Sequence, residues 1–134
     1  KSTIENFINS IPNNSKTIHI LDPVKGVEKN YLLTKCHVFI LPSYSEGFSI
    51  AALEAIAYGI PGIFSDTIGF SEDIVTYNAG AICELTQKSI VEKMHFLSDD
   101  NTLRAKIRNN GFKLYSEKYK IEIVAKNYIE HILS

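Results

Sequence analysis

The chain has 134 residues, 45% of them hydrophobic and 22% charged, with a formal net charge of −1. That length supports one ordinary globular domain and is too short for two, and the near-neutral balance argues against a nucleic-acid partner or an acidic tail. Residues 1–85 hold 5 Lys and no Arg against 9 Asp and Glu, whereas residues 86–134 hold 9 basic against 6 acidic residues. Solvated helix faces account for so mild an asymmetry. Cys36 and Cys83 lie in apolar surroundings without metal-ligand spacing and read as buried free thiols of a reducing compartment. No apolar run approaches the roughly 20 residues needed to cross a bilayer, and no secretory leader pattern is visible. A soluble, cytoplasmic protein is expected, with the inner face of the membrane open to a longer protein. The chain opens on Lys1 rather than Met, so a piece of something longer is expected.

In chain order, "STIENFINSI" has Ile4, Phe7, Ile8 and Ile11 at helical spacing, with Ser2 as N-cap and the turn-like "PNNS" after it. "TIHIL" (17–21) predicts a short strand stopped at Asp22-Pro23, and "VEKNYLLTK" a short amphipathic helix. "HVFIL" (37–41) is a continuous apolar run cut off by Pro42, as in a parallel strand buried on both faces. The loop "PSYSEG" leads into a helix from about Phe48 to Tyr58, ended by Gly59 in the left-handed conformation, with Pro61 beyond. "GIFS" (62–65) predicts a third strand, "DTIGF" a loop, "SEDIVTY" a short helix and "AGAIC" (79–83) a fourth strand. Three helices follow, over 86–97, 100–115 and 120–133, separated at Asp99-Asp100 and around Glu117 to Lys120, with Asp100 as the N-cap of "NTLRAKI". In the last, Ile123, Val124, Tyr128, Ile129 and Ile132 form one broad face suited to core packing.

Nearly all-apolar strands alternating with helices predict an α/β, Rossmann-like layered domain: a parallel sheet of about four strands flanked by helices, with the helices of 86–133 closing it. In such sheets ligands bind beyond the carboxyl ends of the strands. "PSYSEG" and "SDTIGF" lie at two such ends, which places a candidate site.

A strand that turns through small residues into a helix aims backbone N–H groups and the positive helix end at a cleft. Gly47 leaves the backbone open to a ligand, and Ser43, Ser45 and Ser49 offer hydroxyls. Neither G-x-x-x-x-G-K-[ST] nor G-x-G-x-x-G occurs. Glu46 is either a ligand carboxylate or an acid stabilised by roughly 0.3–1 kcal/mol near a helix N-terminus. Glu54 interrupts "SIAALEAIA", otherwise small or apolar after Ser49. A buried carboxylate is costly unless it is hydrogen-bonded, so Glu54 must either reach the cleft or find backbone donors. Two adjacent ribose hydroxyls would satisfy it equally well.

The stretch "HVFILPSYSEGFSIAALEAIAYGIPGIFSDTIGFSEDI" resembles the signature of the family-4 retaining glycosyltransferases of the GT-B fold. Their second domain carries two glutamates with seven residues between them, then a helix ending A-x-G-x-P, then a strand and a G-x-x-E loop. Glu46, Gly47, Phe48 and Glu54 match the first part, Ala57, Gly59 and Pro61 the second, and Asp66, Gly69 and Glu72 the third. Residues 37 to about 83 carry the resemblance, and a looser hydrophobic likeness runs over the whole chain.

The resemblance implies that Glu54 binds the ribose and that Glu46 holds the catalytic position, facing hydroxyls of the donor sugar. Gly47, Phe48 and Ser49 would line the sugar-phosphate end through backbone N–H groups, with Ser43 beside them. Asp22, Pro23 and Val24 fall where members contact the base, although most have glycine in place of Asp22. Asp66, Gly69 and Glu72 would form the donor loop, with Ile68-Gly69 standing where a G-G pair is usual. The implied substrate is a UDP- or GDP-linked hexose, with no covalently bound cofactor and no protein-bound metal. The implied acceptor is a glycan or a lipid-linked sugar, as in polysaccharide biosynthesis.

Members hold the diphosphate with an Arg and a Lys upstream of where this chain begins, and their acceptor-binding half is upstream too. Residues 1–134 are therefore expected to be a single, partial C-terminal nucleotide-sugar-binding domain, without transferase activity alone and with an exposed sheet edge that gives it a route to self-association. A GT-B-like sugar-nucleotide epimerase and a non-catalytic α/β binding module are the alternatives. Nucleotide binding separates the module from the enzymes, and product analysis separates transferase from epimerase. His19, His37, His95 and His131 form no metal-spaced pair and read as structural. Tyr44 is placed either to stack on a ligand or to shield the helix start.

Overall fold

The computed structural model describes Asn6, Ser10 and residues 18–133. The helix predicted around residues 4–11, with its Ser2 cap, lies largely outside the described residues. The chain divides into two units, residues 1–32 and residues 33–134.

In the first unit, residues 18–25 carry neither strand nor helix, so the strand predicted over 17–21 is not formed at its described positions. Ile18, Ile20 and Leu21 are 42%, 38% and 58% exposed, so their strand-forming character finds no partner strand to pack against. Helix α1 (Gly26–Lys35), whose residues from Leu33 on belong to the second unit, follows close to the predicted bounds and has no buried residue.

The second unit holds a parallel sheet of β1 (Phe39–Leu41), β2 (Gly62–Ser65) and β3 (Ala81–Cys83), in that order. The register pairs Ile40 with Ile63 and Phe64 with Ile82. Helix α2 (Ile50–Ala57) connects β1 to β2, and α3 (Ser71–Tyr77) connects β2 to β3. Then come α4 (Gln87–Ser98), α5 (Asn101–Leu114), a π-helical turn (Tyr115–Tyr119) and α6 (Ile121–Leu133). The sheet is thus parallel and helix-flanked as predicted, with three strands among the described residues.

Because successive strand residues face opposite sides, β2 feeds two cores. Phe64 joins Ala52, Ile56, Ile74 and Leu114 on one face. Ile63 joins Cys83, Leu97 and Ile107 on the other. All four residues of β2 are buried, the pattern expected of a central parallel strand. Strand β1 lies at an edge among the described residues, and its Ile40 is 37% exposed rather than buried on both faces.

The caps follow the sequence. Gly59 has φ +68°, as required to turn the chain out of α2, and Asp100 accepts from Leu103 N–H at 2.9 Å. The separation expected around Glu117 to Lys120 is present: residues 115–119 widen the helical path into a π turn, with Lys120 N–H on the Tyr115 carbonyl at 2.8 Å, and the break falls at Lys120, whose ψ is 137°. One expectation is corrected. The α6 face does not pack into the core: Val124, Tyr128, Ile129 and Ile132 are exposed. Cys83 is buried as expected, while Cys36 is half-buried and donates its thiol to the Val38 carbonyl at 2.9 Å.

Candidate functional site

Two loops leave the carboxyl ends of adjacent parallel strands, residues 42–49 after β1 and 66–70 after β2. Hydroxyl groups tie their bases together. Ser43 N–H donates to Ser65 Oγ at 3.1 Å, and the Ser65 hydroxyl donates to the Ser43 carbonyl at 2.8 Å. The Thr67 hydroxyl adds a 2.5 Å bond to the same carbonyl and lies 2.8 Å from Ser65 Oγ. Ser65 is fully buried, so its hydroxyl replaces water for a loop backbone that would otherwise lose its partners. Sequence reasoning missed Ser65 and Thr67; hydroxyl residues closing an otherwise apolar strand were the available signal.

Higher up, Gly69 N–H donates to the Gly47 carbonyl at 2.9 Å. A Cβ on Gly69 would sit 3.1 Å from that oxygen, so glycine serves close approach here. Gly47 itself faces open space, with nothing within 4 Å of where its Cβ would be. The predicted loops are therefore brought together, and Gly47 leaves the backbone accessible between them.

Ser49 is buried and caps α2, its side chain accepting from Ala52 N–H at 3.4 Å, so its hydroxyl is committed to the helix. No acid lies in the first turn of α2, which leaves the positive end of the helix unneutralised by its own residues. Glu54 stands in the middle of α2 and is half-buried, whereas Ala52, Ala55 and Ile56 around it are buried. Glu46 is half-buried in the loop, and Ser43 donates to the Ser45 carbonyl at 3.3 Å. Tyr44 is exposed.

Phe48 is 51% exposed, with its ring 5.2 Å from that of Phe70 and 5.6 Å from that of Tyr119. Behind it, Asp73 receives hydrogen bonds from Lys118 Nζ and the Tyr119 hydroxyl. These donors, Lys118 first, hold the Asp73 carboxyl below its ordinary 3.8, while burial and then the Asp73 bond push the Tyr119 phenol up. Asp73 lowered in the folded state contributes stability that is present above pH 3.8 and lost as pH falls through and below that value. Asp73→Asn should therefore differ most from the wild type near pH 6, and the gap should narrow as pH is lowered below 3.8, as read by urea unfolding across that range. A gap that stays constant would refute this.

Asp66 and Glu72 are exposed. Asp66 lines a pocket of about 410 Å³ with Cys83, Glu84, Ser89 and Lys93, and neither Glu46 nor Glu54 reaches it. Asp22, Pro23 and Val24 belong to the first unit, where Asp22 and Pro23 are exposed and Val24 lines an apolar pocket with Leu21, Val27 and Tyr31. Among the described residues no three His, Cys, Asp or Glu side chains cluster as a metal site, and no helix is long and apolar enough to cross a membrane.

Known proteins resemble this chain in sequence and in fold. The capsular polysaccharide biosynthesis glycosyltransferase CapM of Staphylococcus aureus is 30% identical over 119 residues, 88% of this chain and 30% of that protein. The N,N'-diacetylbacillosaminyl-diphospho-undecaprenol alpha-1,3-N-acetylgalactosaminyltransferase of Campylobacter jejuni is 32% identical over 118 residues, 87% of this chain and 31% of that protein. The chain thus spans about a third of the length of these curated relatives.

Among solved structures, the C-terminal domain of the glycosyl transferase group 1 family protein LpcC from Francisella tularensis superposes with a TM-score of 0.77 at 27% identity, covering 90% of this chain and 62% of that one. Sucrose-phosphate synthase from Thermosynechococcus elongatus reaches 0.80 at 19% identity, over 98% of this chain and 34% of that one, a likeness of fold alone. The family model of the glycosyl transferases group 1 matches residues 7–114, which takes in both loops, and the chain belongs to that family.

Proposed function

We propose that residues 1–134 are the C-terminal, donor-binding part of a retaining, hexosyl-type glycosyltransferase of family 4. The loops 42–49 and 66–70, with α2, receive a nucleotide sugar. The observation that carries this reading is the Gly69–Gly47 hydrogen bond of 2.9 Å, which joins two glycine loops at the carboxyl ends of adjacent parallel strands beside the helix bearing Glu54. Ligands of parallel α/β sheets occupy that position.

Glu54 accepts hydrogen bonds from the ribose hydroxyls, and Glu46 faces the hydroxyls of the transferred sugar. The backbone N–H groups of Gly47, Phe48 and Ser49 and the start of α2 stabilise the diphosphate as it leaves. Neither carboxylate is assigned as a nucleophile; both position the donor. Gly69 sets the distance between the loops, while Asp66 and Glu72 flank the donor from the second loop. The assignment of Asp22, Pro23 and Val24 to the base rests on resemblance alone. Uracil or guanine is the expected base, and a glycan or lipid-linked sugar at the inner membrane face is the expected acceptor. The names of the Staphylococcus and Campylobacter relatives support the acceptor class. Acceptor binding and the cations for the diphosphate would come from a preceding domain, so the chain alone should not turn over a donor.

An amide-shift NMR titration of this chain with UDP, GDP and ADP tests the reading. Shifts confined to residues 43–54 and 66–72, together with Asp22 and Val24 where the base is contacted, are expected with one nucleotide. Shifts elsewhere, or none with any of the three, would overturn donor binding by this chain.

A further inference from the structure

We propose that Tyr119, on the π-helical turn beyond the family match, is a positioning residue that fixes the loop 42–49 through the ring of Phe48. This rests on the donor-site reading above. The matched region ends at residue 114, so Tyr119 lies in a segment to which the family match assigns nothing. Phe48, Phe70 and Tyr119 form a closed triangle, with ring centroids 5.2, 5.6 and 5.5 Å apart. Tilted rings at such separations attract one another beyond simple burial. Each ring comes from a different element: the first loop, the second loop just before α3, and the π turn.

The triangle is anchored from behind. The Tyr119 hydroxyl donates to Asp73 Oδ2 on α3, and Lys118 holds the other oxygen of the same carboxylate. The wide turn, closed by the 2.8 Å bond from Lys120 N–H to the Tyr115 carbonyl, lets two consecutive side chains reach one carboxylate. The first loop is thus gripped at two adjacent residues, Gly47 by the Gly69 N–H and Phe48 by the Tyr119 and Phe70 rings. Those residues carry the N–H groups proposed to meet the donor diphosphate. A site of this kind works only when its donors are held to within a fraction of an ångström. Phe48 as a whole residue remains half exposed, so the grip is local to the loop rather than part of the deep core.

The test compares Tyr119→Leu, Tyr119→Phe and Ile107→Val, the last a core change in the other hydrophobic cluster that controls for general destabilisation. Hydrogen exchange of the Gly69 amide in the ligand-free chain reads the loop directly, and the Kd for whichever of UDP, GDP or ADP the wild type binds reads its consequence. Tyr119→Leu should speed Gly69 exchange by roughly tenfold and weaken the nucleotide by roughly tenfold. Tyr119→Phe, which keeps the ring but loses the hydroxyl anchor to Asp73, should fall between Tyr119→Leu and the wild type on both measures, and Ile107→Val should move neither beyond its global loss of stability. Unchanged Gly69 exchange in Tyr119→Leu, or an equal change in Ile107→Val, overturns the proposal. If the wild type binds none of the three nucleotides, the donor-site reading falls, and the exchange measurement alone decides whether Tyr119 positions the loop.

Discussion

Glu54→Ala is expected to weaken nucleotide binding by about 1–3 kcal/mol, or roughly 5- to 150-fold in Kd, while leaving the fold intact. The magnitude is that of losing hydrogen bonds to a charged acceptor. The two consequences separate because of where Glu54 stands. It occupies the middle of α2 and is half-buried among the buried Ala52, Ala55 and Ile56. Alanine is a stronger helix former than glutamate, so helix propensity does not fall in the variant. A loss of affinity without a matching loss in urea midpoint would therefore belong to the ligand.

Glu46 gives the internal contrast. If it faces the transferred sugar, Glu46→Ala should leave the affinity for the bare nucleoside diphosphate within about twofold and reduce only the increment contributed by the sugar. Wild-type affinity in Glu54→Ala would remove the ribose assignment.

The parts of this fold that were legible in the sequence are those decided locally. Gly62–Ser65 and Ser71–Tyr77 fall on their predicted bounds because Pro61 and Asp66 fence the first and Asn78, at φ +51°, ends the second. Gly59 and Asp100 were readable as caps because one tolerates positive φ and the other carries an acceptor at the right reach. Residues 18–21 show the opposite case. Their strand propensity is real, but a strand needs a neighbour to pair with, and no described one takes them up. The exposed face of α6 was likewise unreadable, since an apolar stripe does not say what covers it.

At the site, the spacing of Glu46, Gly47 and Glu54 pointed to the first loop, and Gly69 to the second. What joins the loops was hidden. Ser43 meets Ser65 across 22 positions of sequence, and Tyr119 meets Asp73 across 46. Such contacts depend on the strand register and the π turn, which no short window contains.

The largest effect on stability should come from Phe64→Ala, at about 3–5 kcal/mol. Phe64 is fully buried in the central strand, its ring 6.2 Å from that of Phe39. Two glycines make room for it. A Cβ at Gly62 would fall 2.0 Å from the Phe64 ring, and one at Gly80 would fall 3.0 Å from it. Truncation therefore opens a void whose walls include bare backbone, which cannot extend side chains inward to refill it.

The same geometry makes the prediction testable by a cycle rather than by a single number. Gly62→Ala should destabilise the wild type by forcing the ring aside. It should cost less, or even stabilise, once Phe64 is alanine and the space is empty. The coupling between the two changes should exceed about 1 kcal/mol in urea unfolding, because the residues share one pocket. Additive costs would mean that the ring does not lie over the glycines and that the void argument is wrong. The consequence reaches the site through Ser65, the next residue in β2, whose hydroxyl holds Ser43 at the base of the first loop. Phe64→Leu, which keeps much of the volume, should lose far less stability and retain nucleotide binding, whereas Phe64→Ala should lose binding in proportion to the fraction unfolded.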